Sequence, residues 1–413
     1  MNSNLLQVFQ RKIYSFFKSK KIDRNLISEQ ALNTLKILKK NNFEAFIVGG
    51  AIRDILMGVN PKDFDIATNA TPEEVRSIFK KSLIIGRRFK LVHVIYGREI
   101  IEVSTFRAKP TQKIHMSNGV LKDNEYGTIR EDAERRDFTV NALYYDVDEN
   151  NLIDFYNGLK DIKKNQLRII GNPKDRFKED PIRILRGVRF AAKLKMEIHK
   201  ETFNEIKNSL NLLKFVPYSR LFDEVMKLFI TGHAQESMVL FKQFQLSNIY
   251  FPTLENNNKL FNDFLLQALK NTDLRIKNNQ SINPGFLLAT FLWHDVLGLW
   301  KKYNKNCPHT SLALNKAIYD SFKKQKKIFP IQKRFEVTMS EIWRLQPRFN
   351  STSAKKIYRL YNHPRFRASY DFLLLRCQTL EISSSIGSWW TKFIESNKKN
   401  KDLLIINKKS FKK

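Results

Sequence analysis

The chain has 413 residues, of which 42% are hydrophobic and 12% aromatic, so it is long enough for two to four folded domains and is not a disordered chain. Its 73 Lys and Arg residues exceed its 41 Asp and Glu residues by 32, and a surplus of that size favours a polyanionic partner such as nucleic acid. A biased genome can also enrich Lys, but it does not explain arginines at fixed spacing, such as Arg183, Arg186 and Arg189.

The sequence gives no sign of export or of membrane insertion. The two cysteines, Cys307 and Cys377, lie far apart and form neither a disulfide framework nor a metal-ligand spacing. The longest apolar stretch, 286–300, is interrupted by His294 and Asp295 and is too short to span a bilayer. The basic N-terminal segment lacks an apolar signal-peptide core, although an amphipathic segment that touches a membrane remains an alternative there. We therefore expect a cytoplasmic protein without membrane insertion.

The first part of the chain alternates between helical and strand periodicity. Apolar residues recur at helical spacing near the N terminus, and short alternating runs then favour strands. Thr71 is a predicted N-cap, with Pro72 in the first helical position and Glu74 completing a capping box. In chain order we predict a helix over 26–40, a strand over 44–48, a helix over 51–57, a strand over 63–67, the helix capped by Thr71, and strands over 89–96 and 99–106 joined by a tight turn at Gly97-Arg98.

The pattern becomes helical from Asp175 onward, and no strong strand signal follows about residue 170. This predicts an α+β protein, with an N-terminal α/β head that contains a small mixed sheet, followed by an all-helical neck and body. The predicted helices of this part are 181–194, 202–213, 219–230, 234–244 and 261–269. The predicted divisions are a basic N-terminal segment at 1–25, the head at 26–145, the neck at 146–235, the body at 236–395 and a Lys-rich tail at 396–413.

The strongest chemical signal lies in the head. Asp63 and Asp65 alternate with Phe64, so both carboxylates should project from one face of a strand while Phe64 packs behind them. Adjacent carboxylates repel each other unless a cation lies between them, and Mg²⁺ is a hard ion that prefers such oxygen ligands and substrate phosphates. The turn at Gly49-Gly50 precedes a helix, where backbone N–H groups can bind a triphosphate.

The order strand, Gly-Gly, helix, Asp-x-Asp resembles the DNA polymerase beta nucleotidyltransferase superfamily, and within it the class II family of CCA-adding enzymes and bacterial poly(A) polymerases. The resemblance implies that Glu102 supplies a third carboxylate to a two-metal site with Asp63 and Asp65. It also implies that Gly49, Gly50 and Arg53 bind the nucleotide. Without the resemblance, Glu102 reads as an ordinary strand residue that faces solvent.

Two further motifs extend the resemblance along the chain, one near the end of the head and one in the neck. Arg136 and Asp137 match a motif associated with the ribose of the incoming nucleotide, although an Arg–Asp pair that caps the following helix is the structural alternative. Asp180 and Arg183 match the base-recognition motif E-D-x-x-R. Since they lie three apart on a predicted helix, they can present an acceptor and a donor to a base edge. Helix capping by Asp180 and an ion pair with Arg183 is the alternative.

The segment 84–94 resembles a signature that distinguishes poly(A) polymerases from CCA-adding enzymes. Its residues of interest are Gly86, Arg87, Arg88 and His93. A basic loop there could contact primer or triphosphate, and a hairpin loop without a specific role is the competing view. The resemblance covers about residues 26–380, and in the neck and body it rests on Arg220–Glu224, Asn271–Asp273, Asn283-Pro284 and Arg365–Asp371. The sequence departs from the family in its long basic C-terminal extension, which is reduced here to the short Lys-rich tail, so tight retention of RNA is not expected from the resemblance.

The resemblance implies a template-independent enzyme that adds AMP from ATP to RNA 3′ ends of mRNA and other transcripts. Two Mg²⁺ ions, or Mn²⁺, would be bound by Asp63, Asp65 and Glu102. Basic residues of the body would bind the RNA backbone in a sequence-tolerant and salt-sensitive manner. The alternatives are a tRNA CCA-adding enzyme with the same metal site and an RNA-binding relative without catalysis. The intact carboxylate set argues against an inactive relative.

Overall fold

The computed structural model describes residues 22–86, 90–108, 126–255, 258–305 and 309–410, together with the backbone of two short strands at 116–117 and 120–121. The chain divides into two compact units, an N-terminal unit that ends at Val216 and a C-terminal unit that begins at Pro217. This division falls inside the predicted neck. The predicted boundaries of the head, neck, body and tail otherwise remain predictions.

The N-terminal unit is a mixed α/β structure. Its helices are α1 Glu29–Lys40, α2 Gly50–Leu56, α3 Pro72–Ile78, α4 Ile129–Arg135, α5 Gly158–Lys163, α6 Pro173–Glu179, α7 Ile182–Leu194 and α8 Lys200–Asn208. Its strands are β1 Ala45–Val48, β2 Asp65–Thr68, β3 Ser82–Ile85, β4 Leu91–Tyr96, β5 Glu99–Thr105, β6 Met116–Ser117, β7 Val120–Leu121, β8 Leu143–Asp146, β9 Asn151–Asp154, β10 Gln166–Leu167 and β11 Glu197–Ile198.

Seven strands form one mixed sheet in the order β3-β4-β5-β2-β1-β8-β9. The pair β2–β5 is parallel, and the other neighbouring pairs are antiparallel. The predicted head with a small mixed sheet is therefore confirmed. The predicted strand at 63–67 starts two residues later than expected, at Asp65, so Asp63 lies in the segment that enters the strand.

Local sequence signals explain how several of these elements begin. Thr71 accepts a hydrogen bond from the Glu74 backbone N–H while the Glu74 side chain accepts from the Thr71 N–H, which confirms the predicted capping box. The predicted tight turn joins β4 to β5, with Tyr96 opposite Glu99 and Gly97 at a positive φ of 62°. The strands β8 and β9 and the short parallel pair β10–β11 all lie beyond the last strand that we predict, at 99–106. Strands of two residues, such as β10 and β11, carry no periodicity.

The two faces of the sheet have different roles. Ile47, Phe64, Ile66 and Val103 belong to the larger hydrophobic core, which α1 and α3 help to form. A smaller cluster that includes Val48 occupies the opposite face; its other buried members are Ala67, Phe106, Ile129, Ala133, Tyr144 and Ile153. Because successive strand residues point to opposite faces, Asp65 and Glu102 share the side of this smaller cluster.

The C-terminal unit is helical throughout its described residues, as predicted. Its helices are α9 Tyr218–Phe229, α10 Ala234–Gln243, α11 Leu246–Tyr250, α12 Lys259–Lys277, α13 Pro284–Asn304, α14 Thr310–Ile328, α15 Lys333–Leu345, α16 Ala354–Tyr361, α17 Phe366–Gln378, α18 Ser384–Glu395 and α19 Lys398–Ser410. Aromatic residues fill much of its interior, and Trp293, Trp343 and Trp390 are fully buried. Within the part of the chain described by the structure, no helix is both long and apolar enough to cross a bilayer.

Gly158, the first residue of α5, offers a test of this packing. A Cβ atom there would lie 2.3 Å from the backbone oxygen of Thr139, closer than two such atoms can approach. We expect Gly158→Ala to lower the free energy of unfolding by about 1–3 kcal/mol, because backbone must move to make room. Urea denaturation measures this change.

Gly298→Ala is the control, since open space surrounds that position of α13. It should be neutral or stabilise by up to about 1 kcal/mol, and equal losses in both variants would contradict the steric explanation.

Candidate active site

A single row of residues crosses the whole sheet and carries the predicted carboxylates. Cross-strand pairing sets Asp65 opposite Glu102 on one side and opposite Val48 on the other. Glu102 in turn lies opposite His93. From β3 to β9 the row reads Leu83, His93, Glu102, Asp65, Val48, Tyr144 and Ile153. The structure therefore brings together Asp65, Glu102 and His93, which are separated in the sequence, with His93 Nε2 3.3 Å from Glu102 Oε1.

Asp63 lies two residues before Asp65 and is exposed, whereas the intervening Phe64 is buried in the larger core. The expected alternation is thus present, although Asp63 precedes the strand. Burial and, to a smaller extent, the negative charges of Glu102 and Asp63 together raise the pKa of Asp65 to about 6, against an opposing effect of Arg136. The three predicted ligands therefore concentrate negative charge at one edge of the head.

These oxygen donors fit a divalent cation in charge and in chemistry. The raised pKa of Asp65 means that its charged form lacks a sufficient positive partner, and a hard cation would supply one. In the described ranges, however, no three Asp, Glu, His or Cys side chains already converge to form a metal centre. Mg²⁺ retains several waters and needs only one or two carboxylates directly. The site therefore fits a cation that is shared with a substrate rather than a closed protein cage.

The turn after Val48 lies next to a half-buried arginine, Arg136. Gly49 has a φ of 76°, and a Cβ atom there would lie 3.3 Å from Arg136 Nη1. Arg136 is fixed by Asp132, at 3.1 Å from Nη2 to Oδ2, and by the hydroxyl of Tyr144, at 2.9 Å from Nε. Despite burial, these partners raise the pKa of Arg136 above its ordinary value. A permanent positive charge thus lies between the Gly-Gly turn and the carboxylates.

Asp137 is held by an arginine from α7. Its Oδ2 accepts from Arg186 Nε at 2.8 Å and Nη2 at 2.6 Å, and its Oδ1 accepts from the N–H of Phe138 and from Asn141. Burial alone would raise the pKa of Asp137, but Arg186 and these donors outweigh it and lower the pKa. The partner of Asp137 is therefore Arg186 rather than the adjacent Arg136. Asn141 also accepts from Arg53, which connects α2 to the same network.

Asp180 and Arg183 occupy different surroundings from those expected. Asp180 is the C-cap residue of α6, and the N-cap residue of α7 is Pro181 rather than Asp180. The side chain of Asp180 accepts a hydrogen bond from the Ile182 N–H at 3.4 Å. The buried Arg183 forms its ion pair with Glu179 at 2.8 Å, four residues earlier. It also donates to the backbone oxygens of Arg176 and Arg135. Their roles in base recognition remain predictions.

The signature segment is only partly described. Arg87 and Arg88 lie outside the described residues, whereas Gly86 has a φ of 94° at the end of β3. His93 lies beside Glu102 in the carboxylate row. Sequence reasoning did not identify the residues that bind and orient the predicted site residues Arg53, Arg136 and Asp137 through hydrogen bonds. These are Asp132 and Tyr144, which lie in no motif, Asn141, which lies in the motif of Arg136 and Asp137 but has no role predicted for it, and Arg186, which is notable in the sequence only for its spacing.

The fold and the site define a nucleotidyltransferase head, and comparison with known proteins agrees. Family models match three parts of the chain: "Poly A polymerase head domain" at 45–168, "Probable RNA and SrmB-binding site of polymerase A" at 195–257, and "Polymerase A arginine-rich C-terminus" at 306–413. A solved structure of a tRNA-processing enzyme in its apo form is similar in fold, with a TM-score of 0.65 and 22% identity over 95% of this chain and 99% of that one.

Two curated relatives differ in how much of the chain they match. Poly(A) polymerase I of Escherichia coli is 41% identical over 90% of this chain and 83% of its own length. The CCA-adding enzyme of Lactobacillus helveticus is 37% identical over 53% of this chain and 54% of its own length. The chain therefore belongs to the bacterial poly(A) polymerase I family, within the larger group that includes CCA-adding enzymes.

The charge on Asp65 generates a stability prediction. A carboxyl whose pKa is raised by folding stabilises the folded chain below its ordinary pKa of 3.8 and loses that contribution as the pH rises through about 6. We therefore expect Asp65→Asn to raise the free energy of unfolding by about 1 kcal/mol at pH 8 in EDTA, with little difference at pH 4. Denaturant titrations at both pH values measure the effect.

Asp137→Asn is the control, because the pKa of Asp137 is lowered and its charge is paired with Arg186. That variant should lose stability at pH 8. A loss of similar size for Asp65→Asn would contradict the electrostatic explanation.

Proposed function

We propose that the chain adds AMP from ATP to RNA 3′ ends without a template, with Asp63, Asp65 and Glu102 as the carboxylates that bind divalent metal ions. The observation that carries the proposal is the register of β2 and β5, which sets Asp65 beside Glu102 on the face of the sheet that also carries Val48 and Tyr144. The raised pKa of Asp65 supports it, because catalytic carboxylates are found where burial and like charges shift the pKa.

The residues of the head have distinct proposed roles in the reaction. The backbone of the Gly49-Gly50 turn receives the triphosphate, and the adjacent, half-buried Arg136 neutralises part of its charge. Asp137 stays ionised beside Arg186 and accepts from a ribose hydroxyl, which favours ribonucleotides. Bound Mg²⁺ or Mn²⁺ would neutralise phosphate charge and make the RNA 3′-hydroxyl more acidic.

The CCA-adding alternative is less well supported. The relatives named for poly(A) synthesis align along most of the chain, whereas the CCA-adding relative aligns over about half of it. His93, which belongs to the poly(A)-type signature, lies within contact distance of Glu102. We therefore propose repeated AMP addition to unrelated transcripts, in the cytoplasm where ATP and RNA are available, rather than three additions to tRNA.

Removal of the proposed metal ligands should separate catalysis from folding. We expect Asp63→Ala, Asp65→Ala and Glu102→Ala each to reduce AMP incorporation by at least about 100-fold, because each removes an oxygen donor for the cations. Incorporation of radiolabelled AMP into a generic RNA, with Mg²⁺ and with EDTA, measures this. Glu99→Ala is the matched control on the same strand β5. Near-normal turnover of Asp65→Ala with Mg²⁺ would refute the assignment.

Base choice tests the roles of Asp180 and Arg183. We expect long A tails on unrelated RNA and a preference for ATP over CTP, since each lost bidentate base contact costs roughly 1–3 kcal/mol. Arg183→Ala should relax this preference or impair ATP use while metal-dependent chemistry remains detectable. Product ladders with each NTP, on generic RNA and on tRNA that lacks its CCA end, measure both expectations.

Glu179→Gln is the matched control for Arg183, because it weakens the ion pair of Arg183 without removing the guanidinium. It should keep the preference for ATP. A ladder that stops at C-C-A on truncated tRNA, without tails on other RNA, would favour the CCA-adding alternative.

A further inference from the structure

The C-terminal unit contains a large cleft that the catalytic proposal does not use. Its volume is about 780 Å³, within the range of roughly 300–1,000 Å³ that is typical of small-molecule sites. The second half of α12, the following loop and the start of α13 form one wall, and α17 with the residues just before it forms the other.

Three sequence motifs from distant parts of the chain meet at this cleft. Asn271, Asn283 and Arg365 all line it, although nearly a hundred residues separate the first from the last. Structural roles explain some motif members, since Asp273 accepts from the backbone N–H of Ala234 and Asn283 accepts from the N–H of Gly285 at the start of α13. No such capping role explains why Asn271 and the arginines of α17 face the same space.

The charge of the cleft favours an anion. Arg275, Arg365 and Arg367 line it, against the single carboxylate Asp371. Arg367 pairs with Asp371 at 3.1 Å, and Arg365 pairs with Glu341 at 2.9 Å, so two of the guanidiniums are already oriented by acids. Arginine forms bidentate hydrogen bonds with phosphate oxygens. The side chains of Arg365 and Arg367 are exposed enough to reach a phosphate in the cleft.

The rest of the lining suits a nucleobase and a sugar. Side-chain amides and the ring of Phe286 face the cleft, which provides donors and acceptors for a base edge and an aromatic surface. Its amide residues are Asn271, Asn278, Gln280, Asn283 and Gln378. Burial raises the pKa of Asp371, and Arg367 and Arg275 oppose this effect, so its carboxylate gains from a further hydroxyl or amine donor.

We propose that this cleft binds one unstacked nucleotide of the RNA strand, with its phosphate against Arg275 and Arg367 and its base against the amide groups. The proposal rests on the proposed function for the choice of RNA over a free nucleotide. The cleft is lined entirely by residues of the C-terminal unit, so it is a subsite for RNA retention and is separate from the carboxylates of the head.

The test uses the full chain and a fluorescein-labelled 15-nucleotide oligo(A) RNA at physiological salt. We expect the double variant Arg275→Gln/Arg367→Gln to bind this RNA about 10-fold more weakly by anisotropy, since two phosphate contacts are lost. Arg334→Gln/Arg344→Gln is the control; it removes the same charge from exposed positions of α15 that do not line the cleft, and it should weaken binding less than about 3-fold. Gln280→Glu, an exposed substitution in the loop, should weaken binding without removing an arginine.

Two further measurements localise the bound nucleotide and test the cleft separately from the proposed AMP addition. An RNA that carries 8-azidoadenosine should crosslink to peptides within 271–286 or 364–378, and the double variant should lose those crosslinks. In AMP incorporation, the double variant should raise KM for RNA and leave kcat unchanged at saturating RNA. If the wild-type chain incorporates no AMP, the proposed function fails. The anisotropy and crosslinking experiments still show in that case whether the cleft binds a nucleotide of the RNA.

Three outcomes would overturn the subsite. One is equal RNA affinity of the two double variants, and another is the absence of crosslinks in both peptides. The third is competition by free AMP at low millimolar concentration that depends on Arg275 and Arg367, which would make the cleft a site for free nucleotides. Thermal melting of each variant ensures that a loss of binding is not a loss of folding.

Discussion

The parallel pairing of β2 with β5 is the constraint on which the candidate site depends. It sets Asp65 directly opposite Glu102, although 37 positions separate them in the chain. Parallel neighbours need a crossover connection, and here α3, β3 and β4 provide it. The hairpin β4–β5 then fixes the register through its two-residue turn. A slip of one residue would turn Glu102 into the larger core and a buried hydrophobic residue toward the site.

This arrangement is electrostatically unfavourable on its own, and the surrounding residues limit the cost. The pKa of Asp65 is raised to about 6, which marks a carboxylate that burial and like charges destabilise. Arg136 is a positive charge that lowers the pKa of Asp65, and it is itself tied to Asp132 and Tyr144. The head therefore holds a positive group beside a negative cluster, and a divalent cation, as we propose, would balance the remaining negative charge. The carboxylate cluster therefore lowers the stability of the folded head, at the place where we propose that the reaction needs negative charge.

Features that depend on residues close together in the sequence could be predicted, whereas contacts between distant residues could not. The capping box of Thr71, the hairpin turn at Gly97 and the alternation around Phe64 depend on neighbours and were predictable from the residues alone. Glu102 was not, because parallel register cannot be read from local pattern, and only the family resemblance identified it. The pair Arg186–Asp137 spans 49 positions and was missed. Local reasoning also chose the wrong ion-pair partner for Arg183, because Glu179 lies on the preceding helix and Pro181 separates the two helices.

Arg176 and Arg183 of the predicted neck have structural roles in the N-terminal unit, beside the role in base recognition that we propose for Arg183. Arg176 donates to the backbone oxygens of Arg135 and Arg136, and Arg183 donates to that of Arg135. These bonds satisfy the carbonyls at the end of α4, the helix that also supplies Asp132 to Arg136. Since α7 carries both Arg183 and Arg186, one helix fixes the backbone and the carboxylate of the segment that precedes Phe138. A substitution of Arg183 therefore also removes a donor to the carbonyl at the end of α4, so the effect on base choice that we propose for it extends to the helix that supplies Asp132 to Arg136.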